Sequence, residues 1–128
     1  MSKQIIQTTK VPAPIGPYSQ AVIANGFLFA SGQVAFDPAT GELVLSSIEA
    51  ETTQVMENIK AILEEANINF DHIVKTSIFL SNMDLFAAVN QVYGSYFTAN
   101  YPARETVAVK TLPRNVNVEI SVTAVMQP

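Results

Sequence analysis

The stretch Val116-Asn-Val-Glu-Ile-Ser-Val-Thr-Ala-Val125 decides how this chain folds. Its residues alternate strictly, as in a β-strand, and one side of that strand carries the apolar residues Val116, Val118, Ile120, Val122 and Ala124. The opposite side carries Asn117, Glu119, Ser121, Thr123 and Val125. A strand face in water usually carries several Lys and Glu residues, whereas this one has small polar groups and one carboxylate. The pattern predicts a sheet with helices on one face and another subunit on the other, with Glu119 in a polar pocket.

A second strand is predicted just upstream, over Glu105–Leu112, because this segment is rich in β-branched residues and lies between two prolines. Arg104 stands at the start of this strand and shares one face of it with Thr106. If the two closing strands pair as a hairpin, their polar faces lie on the same side of the sheet. Arg104 and Glu119 would then belong to one site.

Arg104 and Glu119 together suggest a site for a small anionic molecule. Arginine binds a carboxylate through two parallel hydrogen bonds, and a lone glutamate can hold and polarise a water molecule. The same two residues could instead form a structural ion pair. Arg104 could also be a solvated strand end paired with its neighbour Glu105. Spacing alone leaves these interpretations open.

The rest of the chain predicts four further strands and two helices. Apolar residues recur at helical spacing from Ile48 to Ala66, behind a capping box at Ser46–Glu49, with Glu51 among the charged residues assigned to the other side. A second helix begins at Ser81-Asn-Met-Asp84. The strands are predicted at Gln4–Thr8, Ser19–Ala24, Phe27–Val34 and His72–Leu80, with a two-residue hairpin turn at Asn25-Gly26. Two helices on one face of a mixed six-stranded sheet make an α+β fold.

Length and composition limit the classes of protein to which the chain can belong. Its 128 residues fit a single domain, 1–128. It has no cysteine and one histidine, His72, which is interpreted as a polar turn residue, so neither a thiolate nucleophile nor a metal site is expected. No apolar run approaches the length of a membrane span, and no secretory signal is visible. We therefore expect a cytoplasmic protein without a membrane partner.

The charge balance argues against a nucleic-acid partner and for self-association. The net charge is −4, from 7 basic and 11 acidic residues, and the basic residues are scattered instead of clustered. Only 14% of the residues are charged and 48% are hydrophobic. An average domain has about 25% charged residues. Part of the surface is therefore expected to be buried against further copies of the chain.

Further candidate site residues lie outside the closing strands. In Ser31-Gly-Gln33, Ser31 offers a hydroxyl and Gly32 lets a ligand approach the backbone closely, although an isolated strand glycine also marks a bulge. Tyr18 could present its phenol at the rim of a pocket or simply close its loop onto the core. Asn90 is mildly unfavourable inside a helix, so it could cap a backbone group or reach a neighbouring subunit.

Taken together, these segments resemble the reactive intermediate deaminase family (RidA, also called YjgF) over the full length of the chain. The matching segments are Ile15-Gly-Pro-Tyr-Ser-Gln20, Ser31-Gly-Gln33, Asn58–Ala66, Ile73–Leu80, Val89-Asn90, Pro102-Ala-Arg104, Leu112-Pro113 and Val118-Glu-Ile120. The resemblance implies a chorismate-mutase-like fold, assembled as a homotrimer with pockets between subunits. It also implies hydrolysis of reactive 2-imino acids, or their enamine tautomers, to 2-keto acids and ammonia, without a cofactor. These imines leave pyridoxal-phosphate enzymes such as threonine dehydratase.

The resemblance also implies roles for single residues. Arg104 is expected to clamp the substrate carboxylate, and Glu119 to orient the attacking water. Backbone groups at Gly32 and Thr106 are expected to meet the carboxylate and the imine nitrogen. The full set of residues expected to bind the substrate is Tyr18, Ser31, Gly32, Asn90, Arg104 and Thr106.

This chain departs from the commonest pattern of the family at three positions. Glu105 stands where serine is frequent, Thr106 where cysteine is frequent, and Ser121 where a second glutamate is frequent. Thr106 keeps a hydroxyl and its backbone carbonyl but cannot ionise as a thiol could. Activity could therefore be reduced or redirected, and the alternative function is a trimeric protein that binds keto acids or regulates without turnover.

Overall fold

The computed structural model describes residues 2–127, which form six β-strands and two α-helices. The strands are β1 (Gln4–Ile6), β2 (Ala21–Ala24), β3 (Phe27–Gln33), β4 (Ile73–Leu80), β5 (Ala103–Ala108) and β6 (Val118–Val125). The helices are α1 (Ile48–Glu65) and α2 (Phe86–Gly94). This is the predicted order of elements, and neither helix is long and apolar enough to cross a membrane.

The strands form one mixed sheet in the order β1-β2-β3-β6-β4-β5. Each neighbouring pair is antiparallel except β4 and β5, which are parallel. The predicted hairpin between the two closing strands is therefore wrong. The chain leaves β4, crosses through α2 and returns beside β4 in the same direction, which is the usual connection between parallel strands. The last strand then inserts between β3 and β4.

The strand predicted over Glu105–Leu112 also has different bounds. It begins earlier, at Ala103, and ends at Ala108, where the amide of Val109 still donates to the carbonyl of Leu80 at 2.9 Å. Beyond that bond the chain must cross β4 to reach the centre of the sheet. The β-branched composition of Val109–Leu112 therefore does not extend the strand.

Both helices lie on one face of the sheet, as predicted. The inner stripe of α1 includes Val55, Met56 and Ile62, and each of these side chains is at most 1% exposed. Val118, Ile120, Val122 and Ala124 of β6 point toward this core and are at most 4% exposed, which confirms the alternation seen in the sequence. Burying each aliphatic side chain of this size contributes about 1.5–3 kcal/mol.

The other face of the sheet, here called the open face, is not covered by either helix. A row of side chains crosses it, because the register pairs Phe29 with Val22 on one side and with Thr123 on the other, and Thr123 with Lys75. Phe29 is 46% exposed and Phe27, two residues earlier on the same strand, is 39% exposed. The open face therefore presents large apolar side chains beside small polar ones.

The beginning of α1 corrects two predictions. The N-cap is Ser47, whose hydroxyl accepts a hydrogen bond from the amide of Ala50 at 3.0 Å, so the predicted capping box beginning at Ser46 does not form. The helical spacing predicts Glu51 on the polar side of the helix, but this residue is 1% exposed. Its carboxylate accepts hydrogen bonds from the backbone and side-chain nitrogens of Asn117 at 2.7 and 2.9 Å. Glu51 therefore holds the chain where it enters β6.

Candidate functional site

The candidate residues divide between the two faces of the sheet. Arg104 lies opposite Thr76 in the register of β4 and β5, and Thr76 is buried beneath the helices at 1% exposure. Glu119 lies opposite Phe79, which is an odd number of residues from Thr76 along β4. Side chains on a strand alternate between the two faces, so Glu119 projects from the open face. The expectation that Arg104 and Glu119 share one side of a single sheet is wrong, because it depended on the hairpin between the closing strands.

Arg104 is held by α2. Its Nη1 donates to Oδ1 of Asn90 at 2.6 Å, and its guanidinium carbon lies 5.3 Å from the ring centre of Tyr93 and 5.5 Å from that of Phe86. Such stacking and hydrogen bonding fix the plane of the guanidinium. Since only one of its five N–H donors is used in this contact, Arg104 can still bind a carboxylate through two hydrogen bonds.

The arginine pocket is the cavity around this side chain, of about 530 Å³. It is lined by Asn90, Tyr93, Gly94, Tyr101, Pro102 and Arg104. Behind it, the hydroxyl of Tyr93 and Oγ1 of Thr76 are hydrogen-bonded at 2.9 Å, and burial raises the pKa of Tyr93. Tyr93 therefore stays protonated and neutral beneath Arg104 at neutral pH.

Thr106 lies on the same face as Arg104, two residues farther along β5. Its Oγ1 is buried and has no hydrogen-bond partner among residues 2–127. An unpaired buried hydroxyl costs about 1–3 kcal/mol. The structure therefore places Thr106 next to Arg104, as predicted, but leaves its hydroxyl unused in the isolated chain.

Glu105 points away from Arg104, as expected from its position in the strand. Its carboxylate accepts a hydrogen bond from Ser77 and forms an ion pair with Lys75 at 3.0 Å, both on the open face. These two contacts, the one with Ser77 first, lower the pKa of Glu105. Glu105 is therefore occupied with its own partners and is kept apart from the guanidinium of Arg104.

The carboxylate pocket is a second cavity, of about 580 Å³, on the open face. Its lining includes Tyr18, Ser31, Gly32, Phe36, Arg114 and Glu119. Four of the predicted site residues are thus brought together here by β3, β6 and the loop before β2. The other three, Arg104, Asn90 and Thr106, lie on the far side of the sheet.

Gly32 allows Glu119 to reach its position. A Cβ atom at residue 32 would lie 2.8 Å from Cδ of Glu119, closer than atoms in van der Waals contact. The register of β3 and β6 also shifts between Ala30 and Gln33, so Gly32 lies in a β-bulge. The bulge interpretation of this glycine is therefore correct, and the bulge brings its backbone against the carboxylate of Glu119; the close approach of a ligand stays a prediction.

Burial raises the pKa of the Glu119 carboxyl, and it is the only perturbation of that pKa. No hydrogen bond or ion pair from residues 2–127 opposes the rise. A half-buried carboxylate without a partner can accept a hydrogen bond from water and take its proton. Glu119 therefore has the character of a general base.

Ser31 and Tyr18 are positioned by the loop that enters β2. Oγ of Ser31 donates to the carbonyl of Ser19 at 2.6 Å, so its proton already has a partner, although its lone pairs remain available. Tyr18 is 55% exposed, and its amide donates to the carbonyl of Gly16 at 2.9 Å. Its side chain lies at the rim of the carboxylate pocket and does not close the loop onto the core.

Several residues that line or support the two pockets are not marked by any sequence pattern described above. Phe86 and Tyr93 carry Arg104, and their spacing from Asn90 (four and three residues) was a signal that all three share one helix face. Arg114 lines the carboxylate pocket from the turn before β6. Within residues 2–127, no three His, Asp or Glu side chains lie close enough together to hold a metal ion.

Comparison with known proteins finds relatives over nearly the whole chain. The family model described as Endoribonuclease L-PSP matches residues 8–126. AldR of Lactococcus lactis, whose name describes a regulator, is 50% identical over 121 residues, covering 94% of this chain and 96% of AldR. The 2-iminobutanoate/2-iminopropanoate deaminase of Mus musculus is 43% identical over 126 residues, covering 98% and 93% of the two chains. The crystal structure of RidA from an Antarctic Psychrobacter superposes with a TM-score of 0.91 at 42% identity, covering 95% of this chain and 98% of that one.

Proposed function

Because this chain belongs to the RidA/YjgF family, we propose that it hydrolyses reactive 2-imino acids, such as 2-iminobutanoate and 2-iminopropanoate, to 2-keto acids and ammonia. The observation that carries this proposal is Glu119, a half-buried carboxylate with a raised pKa, a cavity in front of it, and no partner in the part of the chain that the structure describes. A protein that only binds keto acids has no need of a base there. The mouse deaminase among the relatives supports the same reaction.

The substrate class follows from the charges of the two pockets. A 2-imino acid has a carboxylate next to the carbon of an imine, and the imine nitrogen is protonated. Arg104 would bind the carboxylate through the N–H donors that Asn90 leaves free. The backbone around Gly32 would contact the substrate from the other side, and Tyr18 would close the rim.

The chemistry needs water to be placed beside a carbon that is already electrophilic. As the oxygen of water bonds to the imine carbon, Glu119 would accept the proton that the water loses. Glu119 would pass that proton to the nitrogen and take the proton of the new hydroxyl group as the C–N bond breaks, so that ammonia leaves and the carbonyl forms. Positioning of the two reactants supplies much of the rate in such a reaction.

The active protein is proposed to be a homotrimer with its sites between subunits. Arg104 and Glu119 project from opposite faces of one sheet, so one copy of the chain cannot bring them to the same substrate. The open face, with Phe27 and Phe29 more than a third exposed, would be covered by a neighbouring copy. A closed ring is the usual outcome of such head-to-tail contacts. Each site would then take Arg104 from one subunit and Glu119 from the next.

The proposed reaction is tested by coupling the purified protein to a threonine dehydratase and measuring the release of 2-ketobutyrate. We expect release to be faster than with the dehydratase alone, which measures spontaneous hydrolysis. Glu119→Gln is the matched control and should return the rate to that baseline. If the wild-type protein binds 2-ketobutyrate but does not accelerate its release, the deaminase proposal is wrong.

The site between subunits is tested by complementation. Arg104→Lys and Glu119→Gln subunits are unfolded together, refolded and assayed, with each variant refolded alone as a control. In randomly mixed trimers about one site in four would have both native residues, so activity should return to about a quarter of the wild-type value. If the mixture is no more active than its parents, both residues act within one subunit or not at all.

The trimer itself is tested by charging the open face. Thr123→Lys places a second cation opposite Lys75 and beside Phe29, so we expect it to break the assembly and reduce activity together. Light scattering after size exclusion should give about three times 13.9 kDa for the wild type and a smaller mass for this variant. Thr53→Lys, on the exposed side of α1, is the matched control. A fully active wild-type monomer would contradict the proposal.

A second candidate function is a keto-acid-binding regulator without turnover. It is favoured by the relative AldR, whose name describes a regulator, and by Thr106, which replaces the cysteine frequent in the family. One result distinguishes this regulator from a deaminase. The wild-type regulator would not accelerate the release of 2-ketobutyrate, so Glu119→Gln would leave the rate of release unchanged. The name of the family model refers to an endoribonuclease, but the scattered basic residues and the net charge of −4 do not favour binding to RNA.

A further inference from the structure

Arg114 is the second of the chain's two arginines and lies in the turn that leads into β6. Its backbone has φ 60° and ψ 18°, and Asn115 also has a positive φ of 56°. Residues other than glycine are sterically disfavoured in this left-handed region, although Asn tolerates it better than Arg does. Strained backbone of this kind concentrates where a protein binds ligands.

The side chain of Arg114 is supported by an aromatic ring. Its guanidinium carbon lies 5.2 Å from the ring centre of Phe36. Phe36 is itself anchored, because its carbonyl accepts a hydrogen bond at 2.9 Å from Nδ2 of Asn58, a residue of α1 that is 1% exposed. The guanidinium is therefore held over the ring at the pocket wall. Its N–H donors lie in the plane of the guanidinium and point outward from that plane's edge.

Arg114 also brings an uncompensated positive charge to the pocket. It lines the carboxylate pocket together with Glu119, and it lines an adjoining cavity of about 280 Å³ that shares Tyr18, Gly32 and Phe36. Within residues 2–127 the ion pair of Lys75 with Glu105 is the only one, so no carboxylate neutralises Arg114. The rest of this wall is mostly apolar, so among residues 2–127 Arg114 is its one cationic group, and the side chain is exposed and can meet a ligand.

The imine carbon of the proposed substrate has three substituents. The carboxylate would be bound by Arg104, and the nitrogen would leave beside Glu119, so the side chain must extend into the remaining part of the cavity, where Phe36 and Arg114 lie. We propose that Arg114 is a specificity-determining residue, which favours 2-imino acids with an acidic side chain and disfavours those with a basic one. This inference rests on the proposed function and adds a substrate class to it.

The experiment compares three substrates with the same five-carbon backbone. Imines are generated in the assay by amino-acid oxidases from L-glutamate (acidic), L-norvaline (neutral) and L-arginine (basic), and their disappearance is followed with a semicarbazide trap. The terminal carboxylate derived from glutamate lies two methylene groups away from the reacting carbon, so it can reach past Glu119. We expect kcat/KM to be highest for the acidic substrate and lowest for the basic one.

The test variants are Arg114→Asn and Arg114→Asp, because both residues tolerate a positive φ better than others do. We expect Arg114→Asn to reduce the acidic-to-basic ratio of kcat/KM by about tenfold or more, as for the loss of one hydrogen bond to a charged group. Arg114→Asp should reverse the preference. The kcat/KM of the norvaline-derived imine should change less than that of the acidic substrate, because it has no charge at that end.

Controls separate this inference from the proposed function. Lys60→Gln removes a cation from the exposed side of α1 and should leave the ratio unchanged. The affinities of 2-ketoglutarate and 2-ketopentanoate, measured by calorimetry, should show the same loss of selectivity in Arg114→Asn without any turnover. If the wild type hydrolyses none of the three imines, the proposed function fails. If it hydrolyses the neutral imine and the ratio is the same in all variants, or if all three substrates lose activity equally, the role of Arg114 is overturned.

Discussion

The arginine pocket and the carboxylate pocket hold their charged groups in opposite ways. Arg104 projects from an edge strand and is fixed from outside, by a hydrogen bond of 2.6 Å to Asn90 and by two aromatic rings of α2. Glu119 projects from a central strand and is fixed by lack of space, because the backbone of Gly32 lies against it. The cation has assigned partners, whereas the carboxylate has none among residues 2–127.

This difference indicates what each pocket can tolerate. A guanidinium held in one plane fits a planar carboxylate. Activity should therefore fall when Arg104 is replaced by a cation of another shape. A half-buried carboxylate with no partner among residues 2–127 can accept a proton. Activity should therefore fall when the negative charge of Glu119 is removed, even if the shape of the side chain is kept. Substitutions that change only shape or only charge can therefore separate the two pockets.

The largest effect is expected from Arg104→Lys, which keeps the charge and changes its shape. Lysine cannot form two parallel hydrogen bonds to a carboxylate or stack on Tyr93 and Phe86. Losing one partner of a charge-paired hydrogen bond that the bound substrate would bury costs about 2–5 kcal/mol, so kcat/KM for 2-iminobutanoate should fall by about 10³-fold. Thermal unfolding of the folded variant is the control and should change little, because Arg104 is exposed. Near-wild-type activity would contradict the bidentate clamp.

Glu119→Gln makes the complementary change, removing charge while preserving shape. Without a base to accept the proton from water, kcat should fall by about 10²-fold. The dissociation constant of 2-ketobutyrate, measured by calorimetry, should stay within about twofold, because Arg104 still binds its carboxylate. Parallel loss of binding and turnover would show that Glu119 contributes to binding instead of chemistry.

Gly32→Ala should have a smaller effect, which acts through Glu119. The new Cβ would lie 2.8 Å from Cδ of Glu119, so the carboxylate would have to move away from the water that we propose it orients. We expect kcat to fall by about tenfold, as for a base displaced by part of an ångström. The double variant Gly32→Ala/Glu119→Gln is the matched control, since Gly32→Ala should cost nothing more once the carboxylate is gone. Additive losses would mean that Gly32 acts directly on the substrate.

The smallest effect concerns stability and pH. Burial raises the pKa of Glu119 in the folded protein above its unfolded value, so ionisation of this group destabilises the fold. The cost is present at neutral pH and disappears as pH falls through the raised pKa, where the folded protein takes up the proton. At pH 7 the free energy of unfolding of Glu119→Gln should therefore exceed that of the wild type by less than about 1 kcal/mol, with a slightly higher unfolding temperature. This advantage should disappear in acid. If the stability advantage of Glu119→Gln grew as the pH falls, the pKa of Glu119 would be lowered by folding and not raised.

Much of the fold was predictable because it depends on short-range patterns. The alternation of β6 placed Ile120 and Val122 in the core, and the Asn25-Gly26 turn forms as predicted, with φ values of 52° and 82°. Glu51 shows where this reasoning fails. A glutamate near the start of a helix normally faces water, but here the amides at the start of β6 provide it with partners inside the protein. Those partners are 66 and 67 residues away along the chain.

The sequence by itself determined the elements of this protein, the apolar side of each and the residue types available for chemistry, because these depend on neighbours within a few positions. Only the tertiary structure decided that β5 pairs with β4 and not with β6. Strand pairing joins residues far apart in sequence. The alternation of apolar and polar residues predicts the two faces of a strand, but not which strand pairs with each of its two edges. Placing β4 between the closing strands puts Arg104 under α2 and leaves Glu119 on the open face. The two residues that the sequence marked for one site are separated by the sheet itself, because the register of β4 sets the face from which each side chain projects.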